Sequence, residues 1–203
     1  MRTSEIIIFA GFLVISLTAY AEEGKSGAMA GTSVREGQKV MKTPDTMVEQ
    51  EQMRAEAQLY DGQGIHVGEV LFTQENNGVK VAAEINNMPE GIHALHIHET
   101  GQCQASDFKS SGGHFNPFGK QHGFLNQKGP HAGDLPNIEV EENGKGKMTV
   151  TTNYLTLTKG EVNSLLKDGG TAVVIHQGPD DYISDPAGGG GPRIACGVIE
   201  EIE

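Results

Sequence analysis

Residues 112–134 read GGHFNPFGKQHGFLNQKGPHAGD, placing His114, His122, His131 and Asp134 in a stretch too rich in Gly, Pro and Asn for helix or strand. A loop of this kind has little apolar surface with which to bury histidines for packing. Three imidazoles and a carboxylate form an N/N/N/O set that suits tetrahedral zinc. Two further histidines, His96 and His98, lie upstream in LHIHE, and His176 ends the run VVIH downstream. Six of the eight histidines thus fall into three segments, which points to metal chemistry.

His96 and His98 are two apart on a predicted strand, so both face the same side, while Leu95 and Ile97 face the other. One side seals a core; the other presents two imidazoles about one pleat repeat apart, a rigid way to hold adjacent ligands of a tetragonal metal. His93 shares the inward side and reads as a hydrogen-bonded structural histidine; His66 has no assigned role. Six histidines and an aspartate exceed the needs of one tetrahedral ion. Two metals are the economical solution: an all-imidazole set with an open position, suited to copper, and a closed N₃O set, suited to zinc. Two four-coordinate sites need eight ligands and seven candidates are present. One histidine must then serve both ions through its two ring nitrogens.

The elements that must hold these residues are short and alternating. Strands are predicted near 58–60, 65–72, 79–85, 91–99, 138–141, 147–152, 171–176 and 193–199, with Asp61-Gly62, Asn77-Gly78 and Asn143-Gly144 as turns. About eight strands, little helix and no tryptophan describe an all-β antiparallel sandwich or barrel. Two long irregular segments, 100–136 and 177–192, interrupt it and carry most of the polar chemistry, as functional loops do. Residues 22–54 are rich in Gly, Ser, Ala, Lys and Glu and read as a flexible linker, helical near 46–58, ahead of a domain at 55–203. Met29, Met41, Met47 and Met53 gather there; thioethers suit Cu(I), but a tether whose methionines carry no role is the plainer reading.

At the start, Arg2, an apolar run over 6–17 and Ala19-Tyr20-Ala21 have the order of a secretory signal peptide cut after Ala21. The run is too short to span a bilayer comfortably. The formal charge of −12 argues against nucleic acid and anionic membrane as partners. Cys103 and Cys196 form one possible pair in an exported, oxidising setting, and a bridge between them would close a loop of about 90 residues.

Taken together, LHIHE, GGHFNP, the KQHG-to-HAGDLPN stretch, VVIHQGPDD and GPRIACGVI resemble the Cu/Zn superoxide dismutases in their exported bacterial form. The resemblance runs from about 55 to 199 and implies an eight-stranded Greek-key β-barrel of Ig-like sandwich architecture. It implies copper held by His96, His98, His114 and His176, and zinc held by His114, His122, His131 and Asp134, with His114 bridging. Arg193 would guide superoxide to the copper, a task suited to an always-charged fork of donors. Asp180 would link His96 with His122, as outer carboxylates do when they fix ring tautomers. The implied activity is dismutation of superoxide to O₂ and hydrogen peroxide in the periplasm or outside the cell; a homodimer is compatible with it. The alternative is an exported copper/zinc storage or delivery protein on the same barrel. One departure stands out: the segment after His176, QGPDDYISDPAGGGGP, has three aspartates and no lysine, so substrate attraction falls to Arg193 and to Lys109, Lys120 or Lys128.

Overall fold

The structure is a computed structural model, and it describes residues 52–203. The signal peptide expected at 1–21 and nearly all of the expected linker lie outside the described residues, as do Met29, Met41 and Met47. Ten strands follow one another: β1 (Arg54–Asp61), β2 (His66–Glu75), β3 (Gly78–Ile85), β4 (Gly91–His93), β5 (Leu95–His98), β6 (Ile138–Val140), β7 (Gly146–Thr152), β8 (Ala172–His176), β9 (Arg193–Val198) and β10 (Glu200–Ile202). Among the described residues the only helix is one 3₁₀ turn, Lys109–Ser111.

Every strand pairing is antiparallel, and the order β4-β6-β7-β3-β2-β1-β9-β8-β5 begins and ends on strands that are neighbours in sequence. β4 and β5 are separated by Ala94 alone. Before it the chain pairs with β6; after it, with β8. At the break the Ala94 N–H donates to Gly178 O (2.8 Å) and its carbonyl accepts the His176 N–H (2.9 Å), so no backbone polar group is wasted. One segment thus belongs to both edges, and the sheet closes into a barrel. The count of ten rather than eight has two sources: the single strand expected at 91–99 changes partner at Ala94, and the C-terminal β10 adds to β1.

The helix expected near 46–58 is not what its last residues form. Arg54 to Gln58 are part of β1, in register with β2 from Arg54↔Thr73 to Gln58↔Glu69. Glu, Gln and Ala favour helix in isolation, but Ala55, Ala57 and Leu59 recur with period two and are fully buried, so packing overrides propensity.

The core follows the same alternation. Val79, Val81, Ala83 and Ile85 point inward from β3, with Val70 and Phe72 from β2. Burial of a side chain such as Phe72 contributes about 1.5–3 kcal/mol. Leu95 and Ile97 complete this core, which leaves His96 and His98 on the outer side of β5.

Cys103 and Cys196 are joined by a disulfide, 93 residues apart in sequence. It ties the long segment after β5 to the outer face of β9, where Phe108, Ala172, Val174 and Cys196 form a second small apolar cluster. Reducing the bridge is expected to lower stability by roughly 4–5 kcal/mol on the loop-entropy estimate. Urea unfolding of metal-free protein with and without reductant checks this; coincident midpoints would refute it.

Candidate metal centre

β5 carries the rigid part of the site. His96 and His98 are buried, and their rings are covered by the two long loops. The loop over 100–136 is bound to β5 by its own backbone: Ile97 N–H donates to Gly133 O (2.8 Å), Phe115 N–H to Ile97 O (2.8 Å) and Glu99 N–H to Gly113 O (2.9 Å). These bonds set His114 beside His98 and Asp134 beside His96. Gly133 has no alternative here, because a Cβ would stand 2.3 Å from Ile97 O. His176 arrives from the end of β8.

Ring nitrogens of His96, His98, His114 and His176 lie within 4.8 Å of one another. In each ring one nitrogen is fixed by the protein and the other is not. His96 Nε2 bonds Asp180 Oδ2 (2.8 Å), His98 Nδ1 donates to Gly112 O (2.9 Å), and His176 Nδ1 donates to Gly191 O (2.9 Å). The opposite nitrogens, His96 Nδ1, His98 Nε2, His114 Nε2 and His176 Nε2, are buried without any hydrogen-bond partner. Buried polar atoms are almost always paired, and four orphans converging on one point fit an ion they would ligate.

The other side of His114 is built differently. His122 Nδ1, His114 Nδ1 and His131 Nδ1 approach the single oxygen Asp134 Oδ1 at 3.0, 3.1 and 3.3 Å. Bonds of about 2.0 Å to a tetrahedral zinc give ligand–ligand edges of about 3.3 Å, so these separations fit such an ion at the centre. A ring nitrogen of His96 also lies within 4.8 Å of the atoms offered by His114, His122 and Asp134. His131 Nδ1, buried without a hydrogen-bond partner, faces the same Asp134 oxygen, while His96 Nε2 is already bonded to Asp180. The second Asp134 oxygen accepts the N–H groups of Gly123 (2.8 Å) and His131 (2.9 Å), which holds the carboxylate in one orientation.

Asp180 joins the halves: its Oδ2 meets His96 Nε2 and its Oδ1 meets His122 Nε2 at 2.9 Å. Burial opposes ionisation of this carboxyl, but the bonds from His122 and His96 outweigh it and hold it well below the usual carboxylate range. Three residues that the sequence reading passed over keep it there. Asn137 brackets its backbone, accepting the Asp180 N–H (2.8 Å) and donating to Asp180 O (3.0 Å). Tyr182 N–H donates to Asp180 Oδ1 (2.6 Å), and Tyr182 Oη accepts the Asn137 N–H (2.8 Å). Gly188, at φ +61°, lies against the carboxylate so closely that a Cβ would meet Asp180 Oδ1 at 1.9 Å and His122 Nε2 at 2.5 Å. The run of four glycines was the available signal for Gly188; nothing local marked Asn137.

Residues 66–199 match the family model described as copper/zinc superoxide dismutase. The chain belongs to that family. Among curated relatives, it is similar to Superoxide dismutase [Cu-Zn] 1 of Aquifex aeolicus, 50% identical over 151 residues that cover 74% of this chain and 89% of the relative. It is also similar to the superoxide dismutase-like protein YojM of Bacillus subtilis, 39% identical with 70% and 74% covered. Among solved structures, the Bacillus subtilis SOD-like protein superposes with a TM-score of 0.68 at 39% identity, covering 70% of this chain and 96% of that one. The Cu/Zn superoxide dismutase from Brucella abortus gives 0.58 at 29% identity, with 72% and 99% covered.

Arg193 is half-buried and stands opposite His176 in the β8–β9 register. Its guanidinium donates through Nη1 to Phe108 O (2.8 Å) and Ser111 Oγ (3.1 Å), and through Nη2 to Gly112 O (2.8 Å). Gly112 O also accepts from His98 Nδ1, so one carbonyl sets the arginine and a strand histidine together. His93, expected to be structural, sits buried between His176 O and Pro89 O, each 2.9 Å from a ring nitrogen. His66 is on the exposed start of β2, bonded to Gln58 Oε1 and away from the centre.

Proposed function

We propose that this protein dismutates superoxide to O₂ and hydrogen peroxide, with copper held by His96, His98, His114 and His176 and zinc held by His114, His122, His131 and Asp134. The four orphaned imidazole nitrogens carry this reading, because buried lone pairs that find no protein donor are what a copper ligand set requires. Copper bound there supplies the one-electron oxidation and reduction that superoxide needs.

The protein's own groups do the rest. Superoxide is a small anion, and the Arg193 guanidinium is a fixed positive charge at the edge of the histidine set. Two protons enter each product peroxide. His114 Nε2, buried and without a protein partner, is the atom that could hold one of them when its lone pair is not given to copper. Asp180 keeps His96 Nε2 and His122 Nε2 occupied, so the opposite nitrogens of both rings stay turned inward. The apolar run and Ala19-Tyr20-Ala21 at the start, with the Cys103–Cys196 bridge, support an exported protein working in the periplasm or outside the cell.

Metal analysis of the purified mature protein beside a superoxide assay tests the reading. One copper, one zinc and rapid turnover are expected; bound copper and zinc without turnover would instead identify a storage or delivery protein. Steering gives a further check. Lys109 is paired with Asp107 at 2.7 Å, both exposed, and the loop after β8 brings only acids. Attraction then rests on few positive charges in a chain of formal charge −12. Between about 0.01 and 0.15 M salt, kcat/KM is expected to fall about two- to tenfold as the screening length shortens from about 30 to 8 Å. A flat or rising profile would show that charge does not guide the substrate here.

A further inference from the structure

We propose that Asp185 is a positioning residue for zinc, a latch through which the loop after β8 fixes both the backbone of His122 and the ring of His131; this rests on the zinc set given above. The Asp185 carboxylate accepts the His122 N–H through Oδ1 at 2.7 Å. The same oxygen lies 3.9 Å from His131 Nε2, facing that nitrogen without a direct hydrogen bond. That nitrogen is on the far side of the ring from Nδ1, which faces Asp134 Oδ1.

The pattern of the other rings gives the contact its meaning. The outward nitrogens of His96, His98, His122 and His176 are each fixed by a protein acceptor at 2.8–2.9 Å. His131 Nε2 has no such close acceptor among the described residues, and Asp185 is the carboxylate that faces it. A carboxylate on that side favours the tautomer with the proton on Nε2, which leaves the Nδ1 lone pair for the metal.

His122 is gripped twice by one loop, its ring by Asp180 and its own N–H by Asp185. The turn that presents Asp185 is itself well bonded. Asp181 Oδ1 accepts the N–H groups of Ile183 (2.9 Å) and Ser184 (2.8 Å), and Ser184 O accepts that of Gly188 (2.7 Å). Asp185 is therefore aimed by local structure rather than left to find its partners. Its side chain is 44% exposed, so replacing it removes little packing.

The experiment compares full-length mature wild type, Asp185→Asn and Asp185→Ala, each loaded with copper and zinc, by equilibrium competition for zinc with a chromogenic chelator. A second measurement is the ligand-field spectrum after cobalt replaces zinc. Asparagine keeps an oxygen for the His122 N–H but removes the charge beside His131. Zinc affinity is expected to fall about tenfold in Asp185→Asn and up to about a hundredfold in Asp185→Ala, with a shifted cobalt spectrum and unchanged copper content. Wild-type zinc affinity and cobalt spectrum in Asp185→Asn would overturn the proposal. Wild-type protein that takes up no zinc would overturn the zinc reading itself, a failure visible before any variant is compared.

Discussion

Arg193→Ala is expected to lower kcat/KM for superoxide by about ten- to a thousandfold while both metals remain bound. The range is that of electrostatic steering into a focused site, which is the task left to a positive group that ligates nothing. The arginine is the one cation whose position is set by the same carbonyl, Gly112 O, that orients His98. Its loss should also flatten or invert the salt dependence, because what is left to screen is mainly the repulsion from a chain of formal charge −12. Arg193→Lys should recover part of the rate: the charge returns, but a single ammonium cannot donate to Phe108 O, Ser111 Oγ and Gly112 O together with the geometry of a planar fork. Stopped-flow decay of superoxide over a salt series, with metal content measured on each sample, decides the matter. An alanine variant with wild-type rate and intact metals would remove Arg193 from the reaction.

Metal-free protein is expected to lose stability steeply as pH falls from 6.5 toward 4. Burial first, helped by the charge of His114, lowers His96 to about 3, His98 to about 2 and His176 to about 4, from an ordinary 6.5. The Asp180 bond pulls His96 the other way without prevailing, and the Gly191 bond does the same for His176. In the unfolded chain all three rings take up protons near pH 6.5; in the folded chain they refuse them until pH 4 or below. The unfolded state binds more protons throughout that window, so stability rises with pH across it. Three rings at about 1.36 kcal/mol per pH unit each give a slope of roughly 4 kcal/mol per unit, against a total stability of about 5–15 kcal/mol.

His122 does not offset this slope. Burial resists its charge, yet the bonds to Asp134 and Asp180 outweigh burial and raise it to about 9, so its contribution is complete below 6.5 and is lost only as pH rises through 9. Asp134 and Asp180 are held well below the usual carboxylate range, and what they add disappears only at pH below about 4. Urea midpoints of chelator-treated protein at pH 7 and pH 5 should differ widely; equal midpoints would mean that the three rings are not buried neutral.

Much of the barrel and of the histidine set could be read from residue order, because each depends on local pattern. Val79 to Ile85 alternates cleanly, and LHIH states its two faces in four letters. What escaped depends on partners far along the chain. Residues 54–58 look helical by composition and become strand only because β2 offers them a register. The change of partner at Ala94 is decided by β6 and β8, more than 40 residues away. Asp185 looked like one more acid in an acidic loop, and only the fold carries it to the N–H of His122, 63 residues earlier. Asn137 and Gly188 likewise acquire their tasks only once Asp180 stands between them.

Three of the four proposed copper ligands hang from ladder-bonded strands, whereas every proposed zinc ligand comes from the loop over 100–136, with only His114 and Asp134 tied to β5 by single bridges. The two pockets therefore differ in what they owe to the strands. One wall is finished when the barrel closes; the other is finished only when the loop is laid on β5 and its own bonds are made. Under partial unfolding the second would be the first to come undone, since loop contacts open before ladder-bonded strands do.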